Sequence, residues 1–236
     1  MSRIRETFGN VPGIRIIDEP VDKWQRAGLL EAMYNKTLSA NEFQLMALMS
    51  RVGPLLRAFY DKDVRLIITE RSPWSDCHVF GAANFEAGSI NHDNYLLTYS
   101  EVMSAFPVSL KCAFVLLDLP VDEAQKRINA RNRKGETGNE ADVASNGIPR
   151  AYMETLSTLH DRFAGQMREE KWPVWRVNAA VNATSVGDAI VSVVADVLAG
   201  CHEHEPTLLK QGGETTAYLL PTPLPVSPSS VCSATR

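Results

Sequence analysis

Segment 65–76, RLIITERSPWSD, places Glu70, Arg71 and Asp76 directly after a short apolar run. The run is rich in β-branched and aliphatic residues and shows little alternation, which is typical of a buried strand in a parallel sheet. Carboxylates can accept protons, and an arginine can stabilise developing negative charge. The segment therefore predicts a strand whose carboxyl end carries groups able to do chemistry.

Two further apolar runs end in the same way. Asp18 and Glu19 follow the run GIRII, and Asp118 follows the run CAFVLL. Because ligands bind at the carboxyl ends of the strands in open parallel sheets, we expect these groups to lie along one edge of a sheet. The alternative is that each side chain only caps a helix or solvates a loop.

The elements that must position these groups alternate along the chain. The patterns predict single strands near residues 14–18, 65–69, 112–118 and 174–178. They predict helices over 2–8, 23–35, 40–60, 74–87, 92–105, 121–133, 149–170 and 185–199. In the helix over 40–60 we expect an apolar face made of Phe43, Met46, Leu48, Met49 and Leu55. Single strands separated by helices indicate an α/β fold with a parallel sheet.

The composition limits the class of protein. A chain of 236 residues with 44% hydrophobic content can bury one ordinary core, which we assign to residues 1–200. The net charge of −4 argues against a non-specific binder of nucleic acids or anionic membranes. No apolar run approaches membrane-spanning length, no signal-peptide pattern opens the chain, and the four cysteines show no paired spacing. The Pro/Ser-rich segment 201–236 is predicted to be a disordered tail.

Six motifs in the same order resemble those of deoxyribonucleoside kinases, specifically the deoxycytidine and deoxyguanosine kinase branch. They are EPVDKW (19–24), MYNK (33–36), FQ (43–44), ERSPWSD (70–76), RINARNR (127–133) and GIPRAYMETLSTLHDRF (147–163). The resemblance covers residues 1 to about 199. It implies a P-loop nucleoside-kinase-like fold, and transfer of the γ-phosphoryl group of ATP to the 5′-hydroxyl of a deoxynucleoside in nucleotide salvage. ATP and Mg²⁺ are the implied cofactors.

The resemblance also implies how the protein assembles and where it acts. Relatives are commonly homodimers through helices that correspond to residues 40–60 and 92–105. They occur in the cytosol and in mitochondria, so a cytoplasmic or a mitochondrial location is expected.

Three residues at the strand ends resemble the catalytic set of that family. Glu19 corresponds to the base that accepts the proton of the 5′-hydroxyl. Arg71 corresponds to the arginine that offsets charge on the transferring phosphate. Glu70 corresponds to the acid associated with magnesium, with a helix N-terminal partner as its alternative role.

Base recognition is implied at three further positions. Gln44 offers one acceptor and two donors for a base edge, and Arg51 lies two helical turns further along the same face. Arg51 and Asp76 match the residues that read the base in the deoxycytidine and deoxyguanosine kinase branch. We therefore expect deoxyguanosine, deoxyadenosine or deoxycytidine as substrate. The alternative is that Arg51 and Asp76 form an ordinary ion pair bordering the same pocket.

Aromatic residues are expected to complete the nucleoside pocket. The resemblance assigns Trp24, Phe43 and Phe80 to the walls around the base and gives the Tyr34 hydroxyl to the sugar 3′ position. Phe43 and Phe80 could equally be core residues, because aromatic residues at helical spacing usually are.

A basic cluster closes the helix over 121–133. Cations favour a helix C-terminus, which is one explanation for Arg127, Arg131 and Arg133. The resemblance instead implies a lid that folds over the ATP phosphates, with these arginines as clamps. Glu136 would then reach the 3′-hydroxyl, although Glu140 or Asp142 could take that place because the lid segment is long.

One expected motif is missing from the 236 residues. The family's phosphate loop, G-x-x-x-x-G-K-[ST], does not occur, and Met1 falls about where its last residue would stand. We expect the first strand and this loop to be absent, leaving an empty central position in a four-stranded sheet. A truncated gene prediction explains this, and a non-catalytic relative that binds nucleosides or dimerises is the alternative. Without the loop's lysine and backbone amides, we expect the 236 residues alone to have little or no kinase activity. A thymidylate-kinase-like enzyme is disfavoured because Gln44 stands where such kinases need basic residues.

Overall fold

The computed structural model describes residues 1–106, 110–131 and 148–199. Strand β1 (Ile14–Ile17) pairs in parallel with β2 (Leu66–Thr69), and β3 (Phe114–Asp118) pairs in parallel with β4 (Val174–Asn178). Each strand lies within two residues of its predicted bounds. The α/β class with parallel strands is therefore confirmed.

Within the described ranges, the four strands form two separate two-stranded sheets. Strands β2 and β3 both line a cleft of about 2630 Å³ between the sheets. Side chains from both strands, among them Ile67, Val115 and Leu117, make its walls largely apolar. The gap expected in the sheet is thus present, and it divides the strands into two pairs instead of leaving one continuous sheet.

Helices cover most of the rest of the described chain. They are α1 (Ser2–Phe8), α2 (Val21–Arg26), α3 (Leu29–Tyr34), α4 (Ala40–Phe59), α5 (Pro73–Ser75), a π-helix (Asp76–Gly81), α6 (Ala82–Glu86), α7 (His92–Met103), α8 (Val121–Arg131), α9 (Arg150–Glu169) and α10 (Ala183–Ala199). Within the described ranges, no helix combines the length and the apolar character needed to cross a lipid bilayer. Segment 201–236 lies outside the described residues, so the domain boundary near residue 200 stays a prediction.

The single helix predicted over 23–35 is wrong, because two short helices meet there at Gly28. Gly28 has a φ of 70°, in the left-handed region, and this breaks the helical hydrogen bonding between α2 and α3. The break turns the chain so that Trp24 on α2 and Leu30 on α3 pack in one cluster with Ala47 of α4.

The predicted helix over 74–87 contains an unexpected π-helical turn. Ser72 caps the N-terminus of this region through a reciprocal contact with Ser75. The π-helix then begins at Asp76 and ends at Gly81, where a Cβ atom would stand 2.8 Å from Tyr95 Cε1. Only glycine fits so close to α7 without a shift, and π-turns inside helices often lie at functional sites.

Helix α4 carries two buried polar residues, Gln44 and Arg51. A capping box between Ser39 and Glu42 fixes its start. The centre of its buried face is the row Gln44, Leu48, Arg51 and Leu55, spaced at i, i+4, i+7 and i+11, and Ala47, Val52 and Ala58 flank that row. Met46 and Met49 were predicted to share the apolar core face, and this is wrong. Both side chains are exposed, because positions 46 and 49 lie on the opposite side of the helix from Gln44, Leu48 and Arg51.

The main hydrophobic core holds these helices in place. It joins α4, the π-helix, α7 and α9 around fully buried side chains such as Leu48, Val79, Leu159 and Met167. A second cluster packs Ile4 and Phe8 of α1 against Val194 of α10 and the first sheet. Ile17 of β1 and Ile67 of β2 pack against this main core, so the ends of both strands are held against α4 and the π-helix.

Candidate active site

Glu19 and Arg71 leave the first sheet side by side. Since Ile17 pairs with Thr69, the residues that follow the two strands meet at one edge. Arg71 Nε lies 3.3 Å from Glu19 Oε1, so the predicted proximity of the two side chains is observed. Arg71 has a φ of 61°, a costly conformation for a residue with a side chain, and its guanidinium lies 4.3 Å from the centre of the Phe80 ring.

Arg51 connects the two halves of the site. Its Nη1 donates to both carboxylate oxygens of Asp76, at 2.7 and 2.6 Å. Its Nη2 donates to Glu19 Oε1 at 2.6 Å. The Arg51 side chain is only 2% exposed. Within the described residues its Nε is buried without a hydrogen-bond partner, and so a donor remains for another acceptor.

The buried charges do not balance. Arg51 serves two carboxylates, Asp76 and Glu19, so neither receives the full attraction of its positive charge. Burial raises the pKa of Asp76 to about 6, against the lowering effect of Arg51. The site is therefore a buried cluster in which Asp76 can gain a proton under mildly acidic conditions.

Two of the three aromatic residues assigned to the base, Trp24 and Phe43, pack together, whereas Phe80 lies against Arg71 and His160. The contact of these residues with a base stays a prediction. Trp24 is the centre of the first group. Its ring centre lies 5.6 Å from the Arg51 guanidinium carbon and 5.7 Å from the Phe43 ring centre, in an edge-to-face arrangement. Trp24 Nε1 donates to Ser50 Oγ at 2.9 Å, which fixes the orientation of the indole. Tyr34 packs against the same cluster. Sequence reasoning missed Ser50, because nothing in its spacing indicates that it holds an indole two helices away.

His160 is a second residue that sequence reasoning missed. Its ring meets the edge of Phe80 with 5.9 Å between the ring centres, and its Nδ1 lies 2.7 Å from the Leu156 carbonyl oxygen. Burial lowers the pKa of His160, and the neighbouring Arg71 charge adds to the effect. The Arg71 guanidinium therefore packs on the Phe80 ring, and Phe80 in turn packs against His160, whose lowered pKa favours the uncharged imidazole. The only available signal was its place within the motif on α9.

Glu70 stands at the end of β2 with an exposed side chain, and its backbone N–H donates to Ile17 O at 3.0 Å. No cluster of three potential metal ligands occurs in the described part of the chain. Mg²⁺ at phosphate sites usually takes only one or two protein carboxylates, with the remaining ligands from water and phosphate. The exposed Glu70 carboxylate alone fits that limited requirement.

The predicted lid residues are only partly described. Arg127 donates to Glu123 Oε1 at 3.3 Å and to the Val181 carbonyl at 3.2 Å, so on this face of α8 it already has protein partners. Arg131 is the exposed last residue of α8. Arg133 and Glu136, as well as the alternatives Glu140 and Asp142, lie outside the described residues.

Comparison with known proteins gives one family. The sequence model of the deoxynucleoside kinase family matches residues 2–199. The thymidine kinase of Ictalurid herpesvirus 1 (strain Auburn) is 27% identical over 188 residues, covering 77% of this chain and 74% of the relative. The probable deoxycytidine kinase of fowlpox virus (strain NVSL) is 26% identical over 171 residues, covering 70% and 68%.

A solved structure shares the fold. It is a deoxyadenosine kinase from M. mycoides with the products dCMP and a flexible dCDP bound. The two structures superimpose with a TM-score of 0.59 at 20% identity, covering 83% of this chain and 91% of the other. The helix-rich α/β architecture with parallel strands is thus that of the P-loop nucleoside kinases.

Proposed function

The chain belongs to the deoxynucleoside kinase family, a family of phosphotransferases, and we propose that it transfers the γ-phosphoryl group of ATP to the 5′-hydroxyl of a deoxyribonucleoside in nucleotide salvage. The observation that carries the proposal is the contact of Glu19 Oε1 with both Arg51 and Arg71 at the carboxyl ends of β1 and β2. This arrangement supplies a carboxylate held in position beside a cation that can stabilise phosphate.

In the proposed reaction, Glu19 accepts the proton of the 5′-hydroxyl. The hydroxyl oxygen forms a bond to the γ-phosphorus while the bond from that phosphorus to the bridging oxygen breaks and ADP leaves. Arg71 offsets the negative charge on the transferring oxygens. Both contacts of Glu19 with the arginines fall on Oε1, which directs Oε2 to the substrate hydroxyl.

Other residues bind and orient the two substrates. Glu70 would hold Mg²⁺, which neutralises charge on the ATP phosphates when bound. Arg127, Arg131 and Arg133 are proposed to contact ATP from the lid. Tyr34 and Glu136 are proposed to bind the sugar 3′-hydroxyl.

For the nucleoside we propose deoxyguanosine, deoxyadenosine or deoxycytidine. The buried Arg51–Asp76 pair supports this choice, because guanine, adenine and cytosine each carry an exocyclic amino group that can donate to the Asp76 carboxylate, whereas thymine carries none. Trp24 and Phe43 support an apolar slot for the base. The relatives' names do not separate the substrates, since they include thymidine and deoxycytidine kinases.

The proposal is tested by measuring binding and phosphate transfer separately. Calorimetry should show that the 236 residues bind at least one of the three nucleosides. We expect γ-labelled ATP to yield the labelled 5′-monophosphate once the phosphate-loop motif is supplied upstream, and little or no transfer without it. Glu19→Gln should abolish transfer while nucleoside binding stays measurable, whereas Asp18→Asn, one residue away and paired with Arg5 at the surface, should keep both. Binding without transfer even when the phosphate-loop motif is supplied would favour a nucleoside-binding relative. No binding would refute the proposal.

We also propose that the protein forms a homodimer through α4 and α7. These helices pack against each other, and they expose Met46 and Met49 on α4 and Leu97 on α7. Large apolar side chains exposed on adjacent helices support contact with a second copy. Light scattering should give twice the chain mass, and Met49→Glu with Leu97→Glu should give the monomer mass. A monomeric parent at micromolar concentration would exclude the dimer.

A further inference from the structure

One guanidinium contacts both functional ends of the proposed nucleoside site. Arg51 Nη1 holds Asp76, which is assigned to the base, and Arg51 Nη2 holds Glu19, which is assigned to the 5′-hydroxyl. All three side chains have little contact with solvent: the exposed fraction is 2% for Arg51, 3% for Asp76 and 11% for Glu19. Charge interactions among them are therefore weakly screened by solvent.

A change at the Asp76 carboxylate must alter how strongly Arg51 binds the Glu19 carboxylate, and the reverse also holds. The positive charge of Arg51 is delocalised over one planar group, and its two Nη atoms are committed to different carboxylates. A base that donates a hydrogen bond to Asp76 competes with Arg51 Nη1 for the same oxygens. The buried Arg51 Nε, which lacks a partner in the described residues, offers a donor to the same base.

We propose that Arg51 is a positioning residue that couples nucleobase recognition to Glu19. Binding of the correct base loosens the Arg51–Asp76 pair and shifts the guanidinium towards Glu19, which orients that carboxylate for the 5′-hydroxyl. A base that leaves Asp76 untouched does not produce this shift. The inference rests on the proposed function, since that function places the base at Asp76 and the hydroxyl at Glu19.

A nucleoside analogue without the 5′-hydroxyl tests the coupling, because it has no group to meet Glu19. The probes are the 2′,5′-dideoxy analogues of guanosine, adenosine and cytidine, measured by calorimetry on the full chain. Without the Glu19 charge, Arg51 belongs to Asp76 alone and the pair tightens, so a base must disrupt a stronger contact. Glu19→Gln should therefore weaken the binding of the analogue that the parent protein binds best by about fivefold or more.

Two controls separate coupling from general damage. Asp18→Asn removes a neighbouring exposed carboxylate that pairs with Arg5, and it should leave the dissociation constant unchanged. In the apolar background Arg51→Met with Asp76→Ala, measured with 5′-deoxythymidine, Glu19→Gln should have no effect. Thermal unfolding of every variant identifies any that fail to fold, and Arg51→Lys provides a milder background in which one ammonium cannot bridge both carboxylates.

The outcomes distinguish this inference from the proposed function. If the parent protein binds none of the natural deoxynucleosides, the proposed function fails. If it binds them but Glu19→Gln leaves the analogue's dissociation constant unchanged or tightens it, the coupling is refuted. The same weakening in the parent, Arg51→Lys and apolar backgrounds would also refute it, because the effect would not pass through Arg51.

Discussion

Two arginines in this protein each bridge two carboxylates, and their surroundings differ. Arg51 joins Asp76 and Glu19 in a site where it is 2% exposed. Arg176 on β4 binds Asp118 through Nη1, at 3.0 and 3.1 Å, and also contacts Asp161, with 35% of its side chain exposed. Both sets contain one cation and two acids, and both include an acid from the carboxyl end of a strand.

The difference shows that burial, more than residue type, decides what such a cluster can do. Water and ions screen the charges around Arg176. If one of its ion pairs is lost, hydration of the separated groups offsets most of the lost energy. The charged side chains around Arg51 are buried, so they are stabilised by contacts with one another and not by water. Removal of one therefore leaves the others as uncompensated buried charges. Only the buried cluster can shift the pKa of a member strongly or discriminate between ligands.

The largest expected effect is on folding stability. Arg51→Met alone leaves Asp76 buried without its cation and leaves Glu19 with only the more exposed Arg71. We expect it to lower the free energy of unfolding by about 3–5 kcal/mol. Arg176→Met should lower it by no more than about 1 kcal/mol, because its carboxylates can be solvated. Urea denaturation at pH 7 measures both. Similar losses for the two variants would remove the basis of the comparison.

The next effect is the dependence of stability on pH. Burial raises the pKa of Asp76 to about 6, whereas an unfolded aspartate titrates near 3.9. Between about pH 4 and pH 6, Asp76 is therefore protonated in the folded state and ionised in the unfolded state. The stability from this group is fully present below about pH 4 and is lost as the pH rises through about 6.

Asp76→Asn should remove that dependence. Relative to the parent protein, the variant should gain up to about 3 kcal/mol in unfolding free energy between pH 4 and pH 7. Asp118→Asn, in the exposed cluster, should follow the parent curve closely. Urea denaturation at several pH values decides the matter, and parallel curves for Asp76→Asn and the parent protein would show that Asp76 does not titrate in this range.

The third effect is on substrate choice. Arg51→Met with Asp76→Ala removes the buried polar pair without leaving a lone charge, and it gives thymidine room. The ratio of thymidine affinity to the best affinity among deoxyguanosine, deoxyadenosine and deoxycytidine should rise at least about tenfold. Calorimetry measures it, with Arg176→Met plus Asp118→Ala as the matched control that keeps the parent ranking. If the first variant also keeps that ranking, the pair is structural and the proposed substrate class is wrong.

The same contrast explains what the sequence could reveal. The strands were predictable because their β-branched runs end in polar residues and breakers, and the meeting of Glu19 with Arg71 follows from neighbouring parallel strands. The division of the helix at Gly28 was not predictable, since an isolated glycine is tolerated inside many helices. The π-helical turn depends on Tyr95 of α7 pressing against Gly81, a contact distant in the chain.

The site itself was only partly predictable. The family motifs indicated Arg51 and Asp76 as a pair, but the contact of Arg51 with Glu19 depends on how α4 packs against the first sheet. Met46 and Met49 were misassigned because an apolar residue on a helix can face a partner molecule as well as the core. Apart from those motifs, residue types do not distinguish the buried arginine cluster from the exposed one, since both combine arginine with two acids.

The smallest expected effect is the response of the two clusters to salt. A double-mutant cycle with Arg176→Met and Asp161→Asn should give a coupling of no more than about 1 kcal/mol at low ionic strength, because both partners are exposed. At about 1 M NaCl the Debye length falls to about 3 Å, so this coupling should approach zero. The corresponding cycle with Arg51→Met and Asp76→Asn should keep most of its coupling, because ions cannot enter between side chains that are at most 3% exposed. If both couplings disappear together, the Arg51 cluster opens to solvent in solution, and burial cannot be what separates the two sites.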